Sequence, residues 1–374
     1  MSKPGPRRLL ALLVSMALVA AACGSSSNGP DGGDAREQPT QVSTVDPAQV
    51  TGAFSFAKVA ESVESGSSFR ADTFFTIDMG LGLALGSDTE PMATMETDGA
   101  VIHVVSDMGA MLADGPFAPP GLAEHRDELT MESYTDGQIL LVKVPFAGVL
   151  HDLGLGFFPR ALRELGDNWG LVRLSEVGGL AQAMGGTSNS GVIDPESVAR
   201  LVAAIADPSE GETVTVRGVE ATQVTGKVEF GELVAAQGMD PEEFVSSMTE
   251  LFPISNGAER QMVDDTLAGL LAAPTEVTVA YDDQFRLRVL ETRMDLGDLL
   301  VQIAESAAQA SGEELSPQDL SDLRSQLNLS MVTRIEVYDY DSPDIDLTMP
   351  DVSSAVDVTD VFDQLFAGGL GAGF

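Results

Sequence analysis

The sequence predicts an α+β protein built on a mostly antiparallel sheet. Three observations predict it. Apolar and polar residues alternate in a series of short stretches. Several neighbouring stretches are joined by Asp-Gly or Arg-Gly turn dipeptides, as consecutive hairpins are. Helical periodicities are gathered at a few points instead of alternating with the strands. That pattern excludes the βαβ alternation of a two-lobed solute receptor.

The chain begins with a leader. Lys3, Arg7 and Arg8 precede the apolar run Leu9–Ala22, and Cys23 follows directly on Ala20, Ala21 and Ala22. The run is shorter than the roughly 20 residues of a membrane span, and its basic, apolar and small-residue order is that of a secretory signal. A cysteine at this point is the bacterial lipobox pattern. The thiol takes a diacylglyceryl group, residues 1–22 are cut away as signal peptide, and Cys23 becomes the lipid-bearing N-terminus. Ala20 stands where leucine is commoner. Cys23 is the chain's one cysteine, so no disulfide and no thiol chemistry are expected of the folded part.

Residues 23–47, rich in Gly, Ser, Pro and Asp, read as a lipidated flexible tether. Residues 48–366 are expected to form a single domain, and 367–374 a glycine-rich tail. Ala53–Glu64 has helical spacing and stops at Ser65-Gly66-Ser67-Ser68. Phe69, Ala71, Thr73, Phe75, Ile77 and Met79 then alternate with Arg70, Asp72, Thr76 and Asp78, Phe74 being the exception, which predicts a half-buried strand. The glycine-rich stretch that follows lacks the βαβ setting of a phosphate loop and reads as an apolar loop, part of an insertion near 80–93.

Hairpins follow on Asp98-Gly99 and Asp136-Gly137, with a Pro- and Gly-rich insertion at 109–127 between them whose Met111, Leu112 and Phe117 look exposed. Trp169 opens another extended piece. Asp194-Pro195 caps a helix that places Val198, Leu201, Val202 and Ile205 on one face. Strand character returns over Thr213–Phe230 around Arg217-Gly218, two helices lie near Pro241–Phe252 and Ala258–Leu271, and Val277, Val279 and Tyr281 lead into a hairpin turning at Asp282–Phe285. A helical insertion at 297–327, with Ser316-Pro317 as its best cap, precedes a strand at Met331–Tyr340 and a short amphipathic helix in VDVTDVFDQLF.

The net charge of −38 becomes −41 once the leader removes three basic residues and no acid. Such a surface repels phosphate backbones and anionic headgroups, which excludes nucleic acid and a polybasic membrane patch. Four lysines against 16 arginines, with much Ala, Gly, Val and Asp, fit a GC-rich bacterial source.

Chemistry is sparse. His103, His125 and His151 are far apart and lack the spacing of a metal-binding helix. Gly186–Gly191 has Ser190 where a nucleophile elbow needs its second glycine. Asp339, Asp341, Asp344 and Asp346 alternate like calcium ligands, but Pro343 and the missing glycine and glutamate break the loop pattern. No catalytic residue, metal site or cofactor is predicted, and an enzyme is the least supported class. Fifteen Met and 16 Phe stand against one Trp and four Tyr. Thioethers suit surfaces that accommodate variable apolar shapes, although an ordinary core has the same composition.

The order of motifs resembles that of the mycobacterial LppX and LprG type lipoproteins. The motifs are Gly66-Ser67-Ser68-Phe69 before a long strand, the Tyr134–Val144 hairpin, the Trp169 strand and the Asp194-Pro195 helix. They continue with Val216–Thr222 and Thr225-Gly226, then Tyr281–Arg288. Gln223 and Val224 replace a His-Tyr pair common there, Tyr281 replaces a Trp, and the three insertions lengthen the chain. The resemblance implies a LolA/LolB-like fold: a strongly curved antiparallel half-barrel with helices on its concave side enclosing an apolar cavity. It further implies a non-enzymatic carrier of an acyl lipid or glycolipid in the cell envelope, held on the extracytoplasmic face of the membrane by Cys23 and working with an envelope transport protein. Phe75, Ile77, Val101, Leu141, Val224, Val228, Val279, Leu287 and Ile335 are the expected cavity lining. The alternative is a structural lipoprotein with a filled core that docks onto an envelope protein.

Overall fold

The computed structural model describes residues 68–78, 84–113, 118, 121–153, 159–177, 204–236, 240–250, 257–297, 301, 316, 318, 320–321 and 329–367. Its strands in chain order are β1 (Phe69–Asp78), β2 (Ala84–Ser87), β3 (Ala93–Thr97), β4 (Ile102–Asp107), β5 (Thr130–Thr135), β6 (Ile139–Lys143) and β7 (Gly170–Arg173). They continue with β8 (Ala206–Val216), β9 (Val219–Glu229), β10 (Pro274–Tyr281), β11 (Leu287–Asp295), β12 (Ser330–Tyr338) and β13 (Val356–Asp357). All 13 join one sheet in the order β13-β7-β6-β5-β4-β3-β1-β12-β11-β10-β9-β8, with β2 paired to β1 beside β3. The pairings are antiparallel except β13 with β7. The sheet is curved and unclosed, ending at β13 and β8.

The turns form where the dipeptides predict them. Asp98 Oδ1 accepts from the backbone N–H of Ala100 and Val101 at 2.9 and 2.7 Å, and Asp136 Oδ1 from Gln138 and Ile139 at 2.9 and 3.0 Å. Arg217 and Gly218 have φ of +47° and +84°, the paired left-handed geometry of a two-residue hairpin whose twist matches its strands.

Helices α1 (Gly109–Leu112), α2 (Phe146–Asp152) and α3 (Arg160–Arg163) lie between strands of the first half, α4 (Phe230–Ala236), α5 (Pro241–Glu250) and α6 (Gly257–Leu271) between β9 and β10, and α7 (Thr359–Ala367) follows β13. No described helix is long and apolar enough to cross a membrane.

Three expectations are corrected. Within the insertion near 80–93, Ala84–Ser87 is a strand, not a loop, laid antiparallel on the end of β1. Gly86 makes this possible: its φ is +79°, and a Cβ there would meet the Phe75 carbonyl oxygen at 2.0 Å. The insertion at 109–127 holds α1 and part of the 3-10 helix Leu122–Glu128. Arg126 Nη1 and Nη2 clamp Asp107 at 2.7 and 2.9 Å, and Leu112 packs half-buried against the core instead of facing solvent. Strand β8 begins at Ala206, seven residues ahead of the expected Thr213. Cys23, the Ala53–Glu64 helix, Gly186–Gly191, the start of the Asp194-Pro195 helix, Phe117 and most of 297–327 lie outside the described residues.

Candidate functional site

Alternation decides which side chains meet on each face of the sheet. In β1, Phe69, Ala71, Phe75 and Ile77 enter the main core. Ile77 lies opposite Met331, which lies opposite Met294, and Val279 sits between Val224 and Leu290. Phe230, Leu233 and Val234 of α4, Phe244 of α5 and Leu267 and Leu270 of α6 belong to the same cluster. Phe230 and Phe244 meet edge to face at 6.0 Å. Burying each large side chain here stabilises the fold by about 1.5–3 kcal/mol.

Six of the expected lining residues, Phe75, Ile77, Val224, Val228, Val279 and Leu287, are buried in this one cluster, and Ile335 packs against it. Strands distant in sequence thus deliver them to a common face. Two others do not join it. Leu141 is fully buried, but its neighbours Leu140 and Val142 are the ones in the second core, and it pairs with Tyr134 and Leu171 on the opposite face. Val101 is half-buried in the turn beside Ile102, the residue that does enter the core. A one-residue step reverses the face, and Ile139-Leu140-Leu141-Val142 is apolar on both, so alternation could not separate them.

The opposite face carries a row in register across six strands, Leu141, Tyr134, His103, Glu96, Arg70 and Tyr338. Arg70, Thr94, Met95, Glu96, His103 and Tyr338 line an open groove of about 470 Å³ on it. Its polar groups satisfy one another. Arg70 Nε donates to Glu96 at 2.6 Å and Nη1 to Asp339 at 3.0 Å, and His103 Nε2 lies 3.2 Å from Glu132 Oε1. Its ring faces are also occupied. His103 stacks on Tyr134 at 4.1 Å, Lys143 lies over Trp169 at 4.5 Å, and Arg217 covers Tyr338 at 4.0 Å. His125 is paired with Glu128 at 2.8 Å, and His151 borders a separate groove of about 340 Å³ between α2 and α3. The three histidines stay apart, and no cluster among the described residues has the makings of a metal site.

Asp282 is more than the turn residue its place in the sequence predicts. It is buried, and its Oδ1 accepts from the N–H of Gln284 and of Arg286, both at 2.9 Å. Its Oδ2 accepts from Arg286 Nε at 3.1 Å and from Arg288 Nε and Nη2 at 3.0 and 2.6 Å. Burial alone would push its pKa up. The Arg286 backbone N–H and the two guanidinium groups outweigh that and hold the carboxyl below its ordinary value. The signal was present in Asp282, Arg286 and Arg288 at i, i+4 and i+6 around a tight turn.

Burial, helped by the nearby Asp72 carboxylate, pushes the Tyr338 phenol up to about 12, and burial raises Tyr340 too. Unfolded tyrosines ionise near pH 10 and these two stay neutral there, so their contribution to stability is complete below about pH 10 and declines as pH rises past it. A spectrophotometric titration should show their phenolate absorbance appearing only well above pH 10. Ordinary titration of all four tyrosines would contradict the packing around Tyr338 and Tyr340.

No family model matches the chain, and no curated protein matches it. Solved structures do. The lipoprotein LppX of Mycobacterium tuberculosis aligns at 13% identity with a TM-score of 0.34, over 77% of this chain and 94% of that one. LprF from Mycobacterium bovis aligns at 8% identity with a TM-score of 0.33, over 79% and 94%. LppX stands for the lipoprotein type that the motifs of this chain resemble.

Proposed function

We propose that the protein is a lipid-anchored, non-enzymatic lipoprotein of the cell envelope that holds an acyl lipid or glycolipid between its apolar sheet face and the helices beside it. The observation that carries this reading is the convergence of Phe75, Ile77, Val224, Val228, Val279 and Leu287 from β1, β9, β10 and β11 on one face, against α4, α5 and α6. An acyl chain is chemically equivalent to the side chains that meet there, and small shifts of three helices would admit it. In this reading the sheet is a strongly curved half-barrel with helices on its concave side over a ligand cavity. An envelope transport protein is the partner that loads or unloads the ligand.

The leader supports the location. Cys23, once diacylated, holds the chain on the outer leaflet, since one acyl chain binds a bilayer only marginally and two or more bind it stably. One observation favours the second reading, a filled-core lipoprotein that docks onto an envelope protein. The two described grooves are bordered mostly by polar side chains, and of their lining residues Met95 alone belongs to the apolar cluster.

Titration with a fluorescent polyene fatty acid separates the two. The carrier shows saturable, stoichiometric binding that natural lipids displace, and Val279→Trp, which fills the face, weakens it at least tenfold. Absence of saturable binding transfers the protein to the docking reading.

A further inference from the structure

We infer that the tip of the β8–β9 hairpin is a flap held shut by a latch, with Arg217 as its bolt. Strands β9 and β10 pair from Thr222 to Glu229, and Thr222 also marks the point where Thr213 of β8 stands opposite. The segment from Val214 to Ala221 therefore projects past the end of the β10 ladder, carried by its own two strands. Its root is already irregular, because the register of β8 shifts between Ala206 and Ser209 and again between Glu210 and Thr213.

The tip nonetheless reaches across the sheet. Arg217, at the turn, pairs with Asp72 on β1, donates from Nε to Glu336 on β12 at 2.9 Å, and lies 4.0 Å over the Tyr338 ring. Both carboxylates are buried. Tyr338 Oη donates to Asp72 at 3.1 Å, and Arg334 pairs with Glu336. Asp72 faces no other cation among the ion pairs of the described residues.

What the tip covers is small. Val216 and Ala221 from the hairpin meet Ala280 and Val289 in a satellite cluster separate from both main cores. Opening the flap breaks the latch and bares this cluster while the main core stays packed. Such an opening is much cheaper than global unfolding, as expected of local units with few buried contacts. The flap is thus a conformational device at the open β8 end of the sheet, and it uncovers an apolar patch bordered by Asp72, Glu336 and Tyr338.

Hydrogen exchange measured by mass spectrometry on the whole chain tests this. In Arg217→Gln, amides of Val214–Ala221 should exchange about tenfold or more faster, the loss expected for a charge-assisted bond to a buried carboxylate. Amides of the β10–β11 ladder should stay within twofold of wild type. Because the Gln variant leaves Asp72 buried without its cation, Arg217→Met combined with Asp72→Asn removes the latch without that charge, and it should free the same segment. Unchanged exchange of Val214–Ala221 in the double variant overturns the latch. So does acceleration spread equally over the β10–β11 ladder, which would make Arg217 an ordinary support of the whole sheet.

Discussion

Replacing Cys23 with serine is expected to abolish incorporation of labelled palmitate completely and to leave the leader uncut, because serine offers no thiol for the diacylglyceryl transfer that precedes cleavage. The effect is all or none, since no second cysteine can substitute. Each buried methylene holds the anchor by about 0.8 kcal/mol, so the loss of two or three acyl chains removes far more binding energy than any surface charge of this acidic protein could restore. Palmitate labelling together with the mass of the N-terminal peptide checks it. A serine variant that is still labelled, or cut at the same bond, would contradict the lipobox reading of Leu9–Cys23.

The second large effect lies at the β10–β11 turn. Asp282→Ala is expected to destabilise the fold by about 3–5 kcal/mol, the usual result of removing one partner of a buried ion pair. Arg288 is buried too, and it would lose the carboxylate that two of its nitrogens now reach. The turn would also lose the acceptor that holds the Gln284 and Arg286 N–H groups, with Phe285 at φ +61° between them.

The sign of the pH dependence follows from the same contacts. The folded-state pKa of Asp282 is depressed, so its contribution is fully present above the unfolded value of about 3.9. It is lost as pH falls through the lower folded value. Urea denaturation at neutral pH, repeated in steps down to acid, reads both effects. The wild type should lose stability below about pH 4 by more than the Ala variant does, and a variant within 1 kcal/mol of wild type at neutral pH would show that the cluster is dispensable.

The parts of the fold that local chemistry determines were legible. Asp-Gly and Arg-Gly dipeptides with alternating flanks placed the β3–β4, β5–β6 and β8–β9 hairpins, and helical spacing placed α5 and α6. Strand β2 was hidden because its glycines signal a loop, while its pairing depends on how closely Gly86 approaches β1. The parallel pairing of β13 with β7 was hidden because it joins residues far apart in sequence, Val356 with Gly170.

At the candidate site, the resemblance supplied the lining residues, and alternation supports Ile77, Val224, Val228 and Val279, whose polar or small neighbours define a face, but not Phe75, which follows Phe74. Alternation failed at Leu141, inside a run apolar on both sides. The Arg217 latch could not be read at all. Glu336 comes from a strand separated from β9 by two others and Asp72 from one separated by three, and only the order of the sheet brings them together.

The measurement that bears most directly on the lipid-carrying reading is native mass spectrometry of residues 24–374, produced without the anchor in an actinobacterial host and followed by organic extraction. A carrier gives a reproducible mass excess that dissolves into acyl lipid on extraction, and that lipid identifies the ligand class. A clean apo mass, together with no saturable uptake of added lipid, would contradict the carrier and leave a docking lipoprotein with a filled core.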